Sequence, residues 1–234
     1  MTGLVPPPQG AFVDFLKILK SFEDFVYEAL IWLVLLPKTL WRIVLHPRQM
    51  VAYVQAEQTR DGDDRYGDAI SPPLLLILCV LVSHVFDLAV RKQAAQEMGT
   101  LAAALLKPEQ NLLLYCTMAF GIWSLAGAVW YMRHSGQPIH RVNLRNPFYE
   151  QCYLVAPFAM AMSISTTFAL SGGLLSAFGV GLALLALMWF FVAQWHWVRE
   201  RAGLGAGHAS VIAGGLVLVG LVANAALGYL LRHV

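Results

Sequence analysis

Five apolar stretches, each long enough to cross a bilayer, occupy this chain from Ser71 to its last residue. The hydrocarbon core of a bilayer takes about 20 apolar residues, and lipid offers no partner for backbone groups, so such stretches must be helices. Charged residues are only 13% of the chain and mean hydropathy is +0.61, whereas soluble domains carry about 25% charged residues. We therefore predict an all-α, polytopic transmembrane bundle over residues 71–234, with spans at about 72–90, 112–132, 151–170, 174–198 and 211–231.

Three segments precede this bundle: a Pro-rich tail (1–10), interfacial amphipathic helices (11–56) and a charged cytoplasmic linker (57–70). Apolar residues from Phe12 to Val26 recur at helical spacing, with the charges elsewhere on the wheel, as in a helix lying in the membrane surface. The apolar run from Ala29 to Leu36 is too short to span. We predict one or two interfacial helices broken at Pro37. The alternative is a sixth, kinked span over about residues 25–45.

The linker is the most polar stretch, and its composition predicts a flexible, solvated segment. Its run Asp61-Gly62-Asp63-Asp64 has a weak similarity to a calcium-binding loop. The closing glutamate and most of the ligand spacing of such a loop are absent, so we predict no metal site there.

The distribution of Lys and Arg predicts the orientation. Seven of these residues precede the first span, three lie between the second and third spans, and two lie between the fourth and fifth; four fall on the other side. This bias predicts a cytoplasmic N-terminus and an external C-terminus. The first ten residues lack a basic region and an apolar core, so they do not predict a cleaved signal peptide. A bacterial inner membrane is the expected location.

Polar residues at membrane depth are the candidates for a solute path or a proton relay. His84 and Asp87 lie three residues apart on one face of the first span, Asn224 lies in the fifth span, and Pro157 predicts a kink or a late start in the third. A structural alternative pairs Asp87 with Arg91 and makes His84 an interfacial histidine.

Small residues predict close helix packing at two seams, one in the second span and one in the fifth. The seam residues are Thr117, Gly121, Ser124 and Ala128, then Gly220, Asn224 and Gly228. The uncharged turn Ser171-Gly172-Gly173 predicts a tight antiparallel hairpin of the third and fourth spans. The three cysteines have no metal-ligand spacing and are predicted to be buried free thiols.

The loop between the second and third spans carries Arg133, Arg141 and Arg145, which we expect to contact anionic lipid head groups. No catalytic motif and no cofactor-binding motif is found, so we expect neither enzymatic activity nor a cofactor. An intramembrane enzyme using His140 beside these arginines to hold a phosphate is the weakest alternative. A net charge of +2 does not suggest a nucleic-acid partner.

The order of the short motifs resembles the Yip-type family of five-span membrane proteins, in its bacterial branch. The resemblance covers roughly residue 37 to the C-terminus. It rests on Leu36-Pro37-Lys38-Thr39-Leu40-Trp41, on Arg65-Tyr66-Gly67-Asp68 before Ser71-Pro72-Pro73, on Tyr153 and Pro157 within a Tyr-x-x-x-Pro element, and on Gly205-Ala206-Gly207-His208-Ala209-Ser210. Cys152 and the incomplete Tyr66-Gly67-Asp68 element depart from the eukaryotic pattern. The resemblance therefore does not carry over a trafficking partner.

This resemblance implies a five-span fold with a cytoplasmic N-terminus, and it implies no cofactor or catalytic residue. Eukaryotic members act in membrane traffic and bind small GTPases, whereas bacterial members are often labelled permeases. We expect a non-enzymatic membrane protein that organises lipid or a membrane partner complex, with membrane lipid and a homo-oligomer or membrane protein as partners. The alternative is a permease for a small solute, ion or lipid, acting as an oligomer.

Overall fold

The computed structural model describes residues 9–60, 65–94 and 110–233, and within these ranges the chain forms seven α-helices and no strand. The side chains of some helical residues near the edges of these ranges lie outside the description. The helices are α1 (Gln9–Leu45), α2 (Pro47–Thr59), α3 (Pro72–Ala94), α4 (Gln110–His134), α5 (Arg141–Ala169), α6 (Gly173–Ala202) and α7 (Ala206–His233).

Several helices are long and apolar enough to cross a membrane, as the hydropathy predicted. Four candidates lie within the described residues: Pro72–Val90, Arg141–Ala169, Gly173–Ala202 and Ala206–Ala223. A fifth is obtained if α1 and α2 form one broken span. Helix α4 coincides with the predicted second span but is not among these four. The all-α membrane architecture is therefore confirmed, and the count of five spans stays a prediction.

The break in the N-terminal segment is not at Pro37, where it was predicted. Helix α1 runs through Pro37 without interruption, and the chain turns instead at His46, where α1 and α2 meet at 118°. A proline removes one backbone donor but does not have to end a helix when neighbouring packing holds the turn. Within the two turns that follow Pro37, Thr39 and Ile43 are completely buried, and this burial favours continuation of the helix beyond Pro37.

Helix α5 is the centre of the bundle, because it packs against α1, α2, α3, α4 and α6. Ten consecutive residues, 150–159, are buried, so α5 is enclosed on all faces along almost three turns. The helix passes through both Pro147 and Pro157, so the late start that Pro157 suggested is not observed. The remaining helix, α7, packs against α4 and α6.

The predicted hairpin at Ser171-Gly172-Gly173 is confirmed. Helix α5 ends at Ala169 and α6 begins at Gly173, and both glycines have positive φ, 78° and 58°, a conformation that side chains disfavour. The two helices then approach closely at Gly179, where an added Cβ would lie 2.7 Å from the carbonyl oxygen of Ser165.

The small-residue seams are borne out in part. At Gly220 the indole of Trp123 takes the space that a Cβ would need, and the Trp123 Nε1–H donates to the carbonyl oxygen of Leu216 at 3.0 Å. Ser124 and Ala128 are buried, whereas Gly121 faces open space. The side chains of Thr117 and Asn224 and the surroundings of Gly228 lie outside the description. Cys79 and Cys152 are buried free thiols, and Cys116 is not described.

The helices place two sets of termini at opposite ends of the bundle. The end of the bundle at which α2 packs, here named the α2 end, holds the C-termini of α1, α4 and α6 and the N-termini of α3, α5 and α7. The opposite end holds the hairpin turn at Gly172-Gly173. Between them α1, α6 and α7 expose many large apolar side chains, among them Leu33, Leu184 and Leu218, as a lipid-facing surface does.

Candidate functional site at the α2 end

A buried ion pair lies at the centre of the α2 end. Glu150 of α5 is fully buried, and its Oε1 accepts a hydrogen bond from Nη2 of Arg201 in α6 at 2.8 Å. Its Oε2 accepts from the Arg201 Nε at 3.0 Å and from the Trp197 Nε1 at 2.8 Å. The guanidinium also lies over the ring of Tyr131 in α4, 4.9 Å from its centroid. The carboxylate is therefore paired and hydrogen-bonded, as a buried charge must be.

Next to the ion pair, two glutamines join the same helices. The amide of Gln151 donates to Gln194 at 3.1 Å, and that of Gln194 donates back to Gln151 at 2.6 Å. Both side chains are buried. Helix α4 passes this pair at Gly127, where an added Cβ would lie 2.7 Å from the Gln151 side chain. Because glycine has no Cβ, α4 leaves room for the Gln151 side chain.

Helix α2 packs across α5 and α6 and covers this region. Arg48 of α2 forms an ion pair with Glu200 of α6, and the indole Nε1–H of Trp189 donates to the Val44 carbonyl oxygen at 3.0 Å, just before the turn. A cavity of about 230 Å³ lies beneath α2, bordered by Arg48, Gln55, Trp197, Glu200 and Arg201 among others. Its charged lining residues are two arginines, Arg48 and Arg201, and one glutamate, Glu200.

The described part of the linker is fastened to the bundle, although its composition predicted a flexible segment. The backbone N–H of Ile70 donates to Thr39 of α1 at 3.3 Å, and its carbonyl oxygen accepts from the Tyr153 hydroxyl at 2.7 Å. Asp68 accepts from Arg42 at 2.9 Å and from the Tyr53 hydroxyl at 2.5 Å. These two contacts, the Tyr53 hydrogen bond foremost, hold the pKa of Asp68 below its ordinary value of 3.8. Charged linkers can thus be held by ion pairs that composition does not reveal.

Tyr66 is the strained position of this linker. Its φ is +62°, in the left-handed region, which is uncommon for a residue with an aromatic side chain. The conformation is held by a hydrogen bond from its backbone N–H to the buried Glu57 carboxylate at 2.8 Å and by one from Gln58 to its hydroxyl at 2.9 Å. Burial raises the pKa of the Tyr66 phenol to about 12, so the side chain is neutral.

Two of the three predicted head-group arginines border one groove. Arg141 and Arg145 lie one turn apart at the start of α5, and both are exposed. The groove, of about 530 Å³, runs between α4 and α5. Its lining consists of Leu125, Arg141, Leu144, Arg145, Phe148 and Tyr149. Arg133, at the end of α4, is exposed but does not line this groove.

Of the predicted relay residues, His84 and Asp87 lie in the half of α3 away from the α2 end, and among the described contacts only Asp87 has a partner in another helix. Asp87 of α3 is half-buried and accepts a hydrogen bond from the Thr167 hydroxyl of α5 at 2.8 Å. His84 is half-buried and Pro157 is buried within α5. The side chains of Asn224 and of Arg91, the alternative partner for Asp87, lie outside the described residues. A common path through His84, Asp87, Asn224 and Pro157 therefore stays a prediction.

Neither the pairing of Glu150 with Arg201 nor that of Gln151 with Gln194 was predicted from the sequence. One signal would have found the glutamine pair: Gln151 lies 21 residues before Gly172, and Gln194 lies 21 residues after Gly173. In a tight antiparallel hairpin, residues equidistant from the turn lie at the same depth. Two amides at equal depth in apolar helices predict each other as partners.

Comparison with known proteins adds no relative: no family model, no curated protein and no solved structure matches this chain. In the described part of the chain, no three His, Cys, Asp or Glu side chains come together as a metal site requires. Function is therefore inferred from the geometry of the two ends of the bundle, and the Yip-type resemblance stays a hypothesis.

Proposed function

We propose that this chain is a non-enzymatic integral membrane protein that organises lipid or a membrane partner complex through its α2 end. The observation that carries the proposal is the pairing of buried polar side chains at that end. Glu150 and Gln151 are occupied by partners from the neighbouring helix α6. A polar network whose members satisfy one another is rigid. It is better suited to hold a binding surface in shape than to carry a solute.

The surface that this network supports combines basic and apolar groups. Arg133, Arg141 and Arg145 are exposed there, as is Trp41, with 68% of its surface accessible. Arginines and tryptophans at a membrane boundary are the groups that contact anionic head groups and the interfacial region. The positive-inside rule supports a cytoplasmic location for this end, and the Yip-type resemblance supports a bacterial inner membrane.

The proposal is tested by extracting the full chain in native-lipid nanodiscs and identifying by mass spectrometry what stays bound. We expect an enriched anionic lipid, or a membrane protein at fixed ratio, and we expect the Arg133→Gln, Arg141→Gln, Arg145→Gln triple variant to lose it. A lipid composition equal to that of the surrounding bilayer, with no protein partner, would count against the proposal.

A deletion of residues 1–28 provides the matched control. It removes the exposed part of α1 and keeps Thr39 and Ile43, which are buried in the core. The truncated chain should retain the bound component. Loss in the truncated chain, but not in the triple variant, would assign capture to α1 and not to the α2 end.

A permease is the second candidate, and the contact of Asp87 with Thr167 is the observation that favours it. A carboxylate between two membrane helices is expensive and is often functional. In proteoliposomes with a pH-sensitive dye inside, a proton-coupled permease would dissipate an imposed pH gradient, and Asp87→Asn would abolish this. The control is Asp24→Asn, in the exposed part of α1. A wild-type protein that leaves the gradient intact would exclude proton coupling.

A further inference from the structure

The groove between α4 and α5 has two charged groups that find no carboxylate partner among the residues that the structure describes. Among the described residues, neither Arg141 nor Arg145 forms an ion pair with a carboxylate. The first turn of α5 contains no acidic residue, and positive charge is unfavourable at that end of a helix. Two guanidiniums one turn apart therefore leave an uncompensated positive charge at the mouth of the groove.

One of these arginines is already oriented by its surroundings. The guanidinium of Arg145 lies over the ring of Tyr149, 5.3 Å from its centroid. Such stacking is a common way to fix a guanidinium while its N–H groups remain free to donate. Planar guanidiniums match the oxygens of a phosphate by forming two parallel hydrogen bonds. The mouth of the groove is thus prepared for one phosphate group.

The rest of the groove is apolar and leads deeper along the bundle. Leu144 and Phe148 continue from the arginines along α5, and Leu125 faces them from α4 with 41% of its surface exposed. Trp130 and Tyr131 lie between Leu125 and the end of α4, where aromatic side chains mark the membrane boundary. The groove therefore passes from the boundary, at the arginines, into the apolar layer, at Leu125 and Phe148.

We infer that this groove binds one anionic phospholipid, with its phosphate between Arg141 and Arg145 and an acyl chain along Leu125 and Phe148. This inference rests on the proposed contact with lipid. A zwitterionic lipid carries an ammonium group that the two arginines would repel, so the charge favours an anionic head group. Free phosphate has the same charge chemistry but gains nothing from the apolar walls. Arg133 does not line the groove and has no part in the site.

The test uses the full chain in detergent micelles supplied with phosphatidylglycerol or phosphatidylcholine, with bound lipid counted by native mass spectrometry. We expect one retained phosphatidylglycerol and weaker retention of phosphatidylcholine. Arg141→Gln with Arg145→Gln should weaken phosphatidylglycerol binding roughly 30-fold, from the usual contribution of each basic residue near anionic lipid. The matched control is Lys17→Gln with Lys20→Gln, two exposed cations of α1 that do not line the groove, and this variant should bind as the wild type does. Equal losses in the two variants would overturn the site in favour of a diffuse basic surface.

A second variant distinguishes binding of a whole lipid from binding of a phosphate group alone. It also keeps the test informative if the double arginine variant does not fold. Leu125→Asn keeps both arginines and should weaken binding of phosphatidylglycerol, because it removes part of the apolar wall and leaves the charge unchanged. Full displacement of the lipid from the wild type by glycerol 3-phosphate would overturn the lipid assignment and leave a phosphate site. If phosphatidylglycerol is not retained while a protein partner still co-purifies, the groove inference fails and the organising function stands.

Discussion

The two ends of the bundle satisfy their polar side chains in different ways. At the α2 end, hydrogen bonds and ion pairs run between helices: Glu150 to Arg201, Gln151 to Gln194 and Arg48 to Glu200. At the opposite end, most described hydroxyls donate to a carbonyl oxygen in their own helix, as Ser83 does to Cys79 at 2.7 Å and Ser165 does to Ala161 at 2.6 Å. One end is therefore cross-linked by polar contacts between helices, whereas at the other end the helices are held by close approach of their backbones, as at Gly179.

The largest effect is expected from breaking the buried ion pair. Arg201→Ala leaves the fully buried Glu150 carboxylate without its cation, so the free energy of unfolding should fall by about 3–5 kcal/mol. The measurement is a denaturant titration in mixed micelles. The control is Arg133→Ala, an exposed residue that should change stability by less than about 0.5 kcal/mol.

A double substitution shows whether the stability lost in Arg201→Ala comes from the unpaired charge or from the missing side chain. Glu150→Gln combined with Arg201→Ala removes the unpaired charge, so part of the lost stability should return. If Arg201→Ala alone were as stable as the wild type, the polar network would not stabilise the α2 end, and the comparison would fail.

A smaller effect is expected from the close approach at the hairpin. Gly179→Ala places a Cβ 2.5 Å from the backbone nitrogen of Ala169, so α5 and α6 must separate. Overpacking of this kind costs about 1–3 kcal/mol. Gly181→Ala, on the same helix with nothing within 4 Å, should be neutral or raise stability by up to about 1 kcal/mol. Equal behaviour of the two variants in the same titration would show that the helices are not held by this approach.

The contact between Asp87 and Thr167 is the polar link between helices described at the opposite end. Thr167→Val removes the hydroxyl that donates to Asp87 at 2.8 Å and also lies 3.2 Å from the Ser163 carbonyl oxygen, so we expect a loss of about 1 kcal/mol. Thr166→Val is the control, because the exposed Thr166 hydroxyl donates only within its own helix, to Met162 at 2.9 Å. A loss from Thr167→Val as large as that from Arg201→Ala would erase the difference between the two ends.

The smallest effect concerns acid stability. The pKa of Asp68 is lowered in the folded state by the Tyr53 hydrogen bond and by Arg42, so its contribution is present above the ordinary value of 3.8. The contribution is lost as pH falls through the lower folded-state pKa. The wild type should lose thermal stability over this acid range, and Asp68→Asn should lose less. The effect is modest because Asp68 is exposed and screened by solvent. Parallel acid melts of both proteins would contradict it.

Hydropathy predicted the helices, because each long apolar run has to satisfy its backbone internally. The turn at Gly172-Gly173 was predictable for a local reason, since two glycines permit positive φ. The polar network was not predicted, because Glu150 and Arg201 are 51 residues apart and neither sequence context reveals the other. Similarly, Pro37 was expected to end a helix, and only the burial of Thr39 and Ile43 explains why α1 continues to Leu45.

The reciprocal glutamine pair has a consequence for how the hairpin can assemble. Sliding α6 along α5 by one turn, about 5.4 Å, would separate both amide bonds at once and carry Trp197 away from Glu150. In an apolar surrounding neither amide finds a substitute partner among Leu, Ala and Val side chains. The hairpin therefore has a single favoured register, and two polar side chains decide how two otherwise apolar helices align.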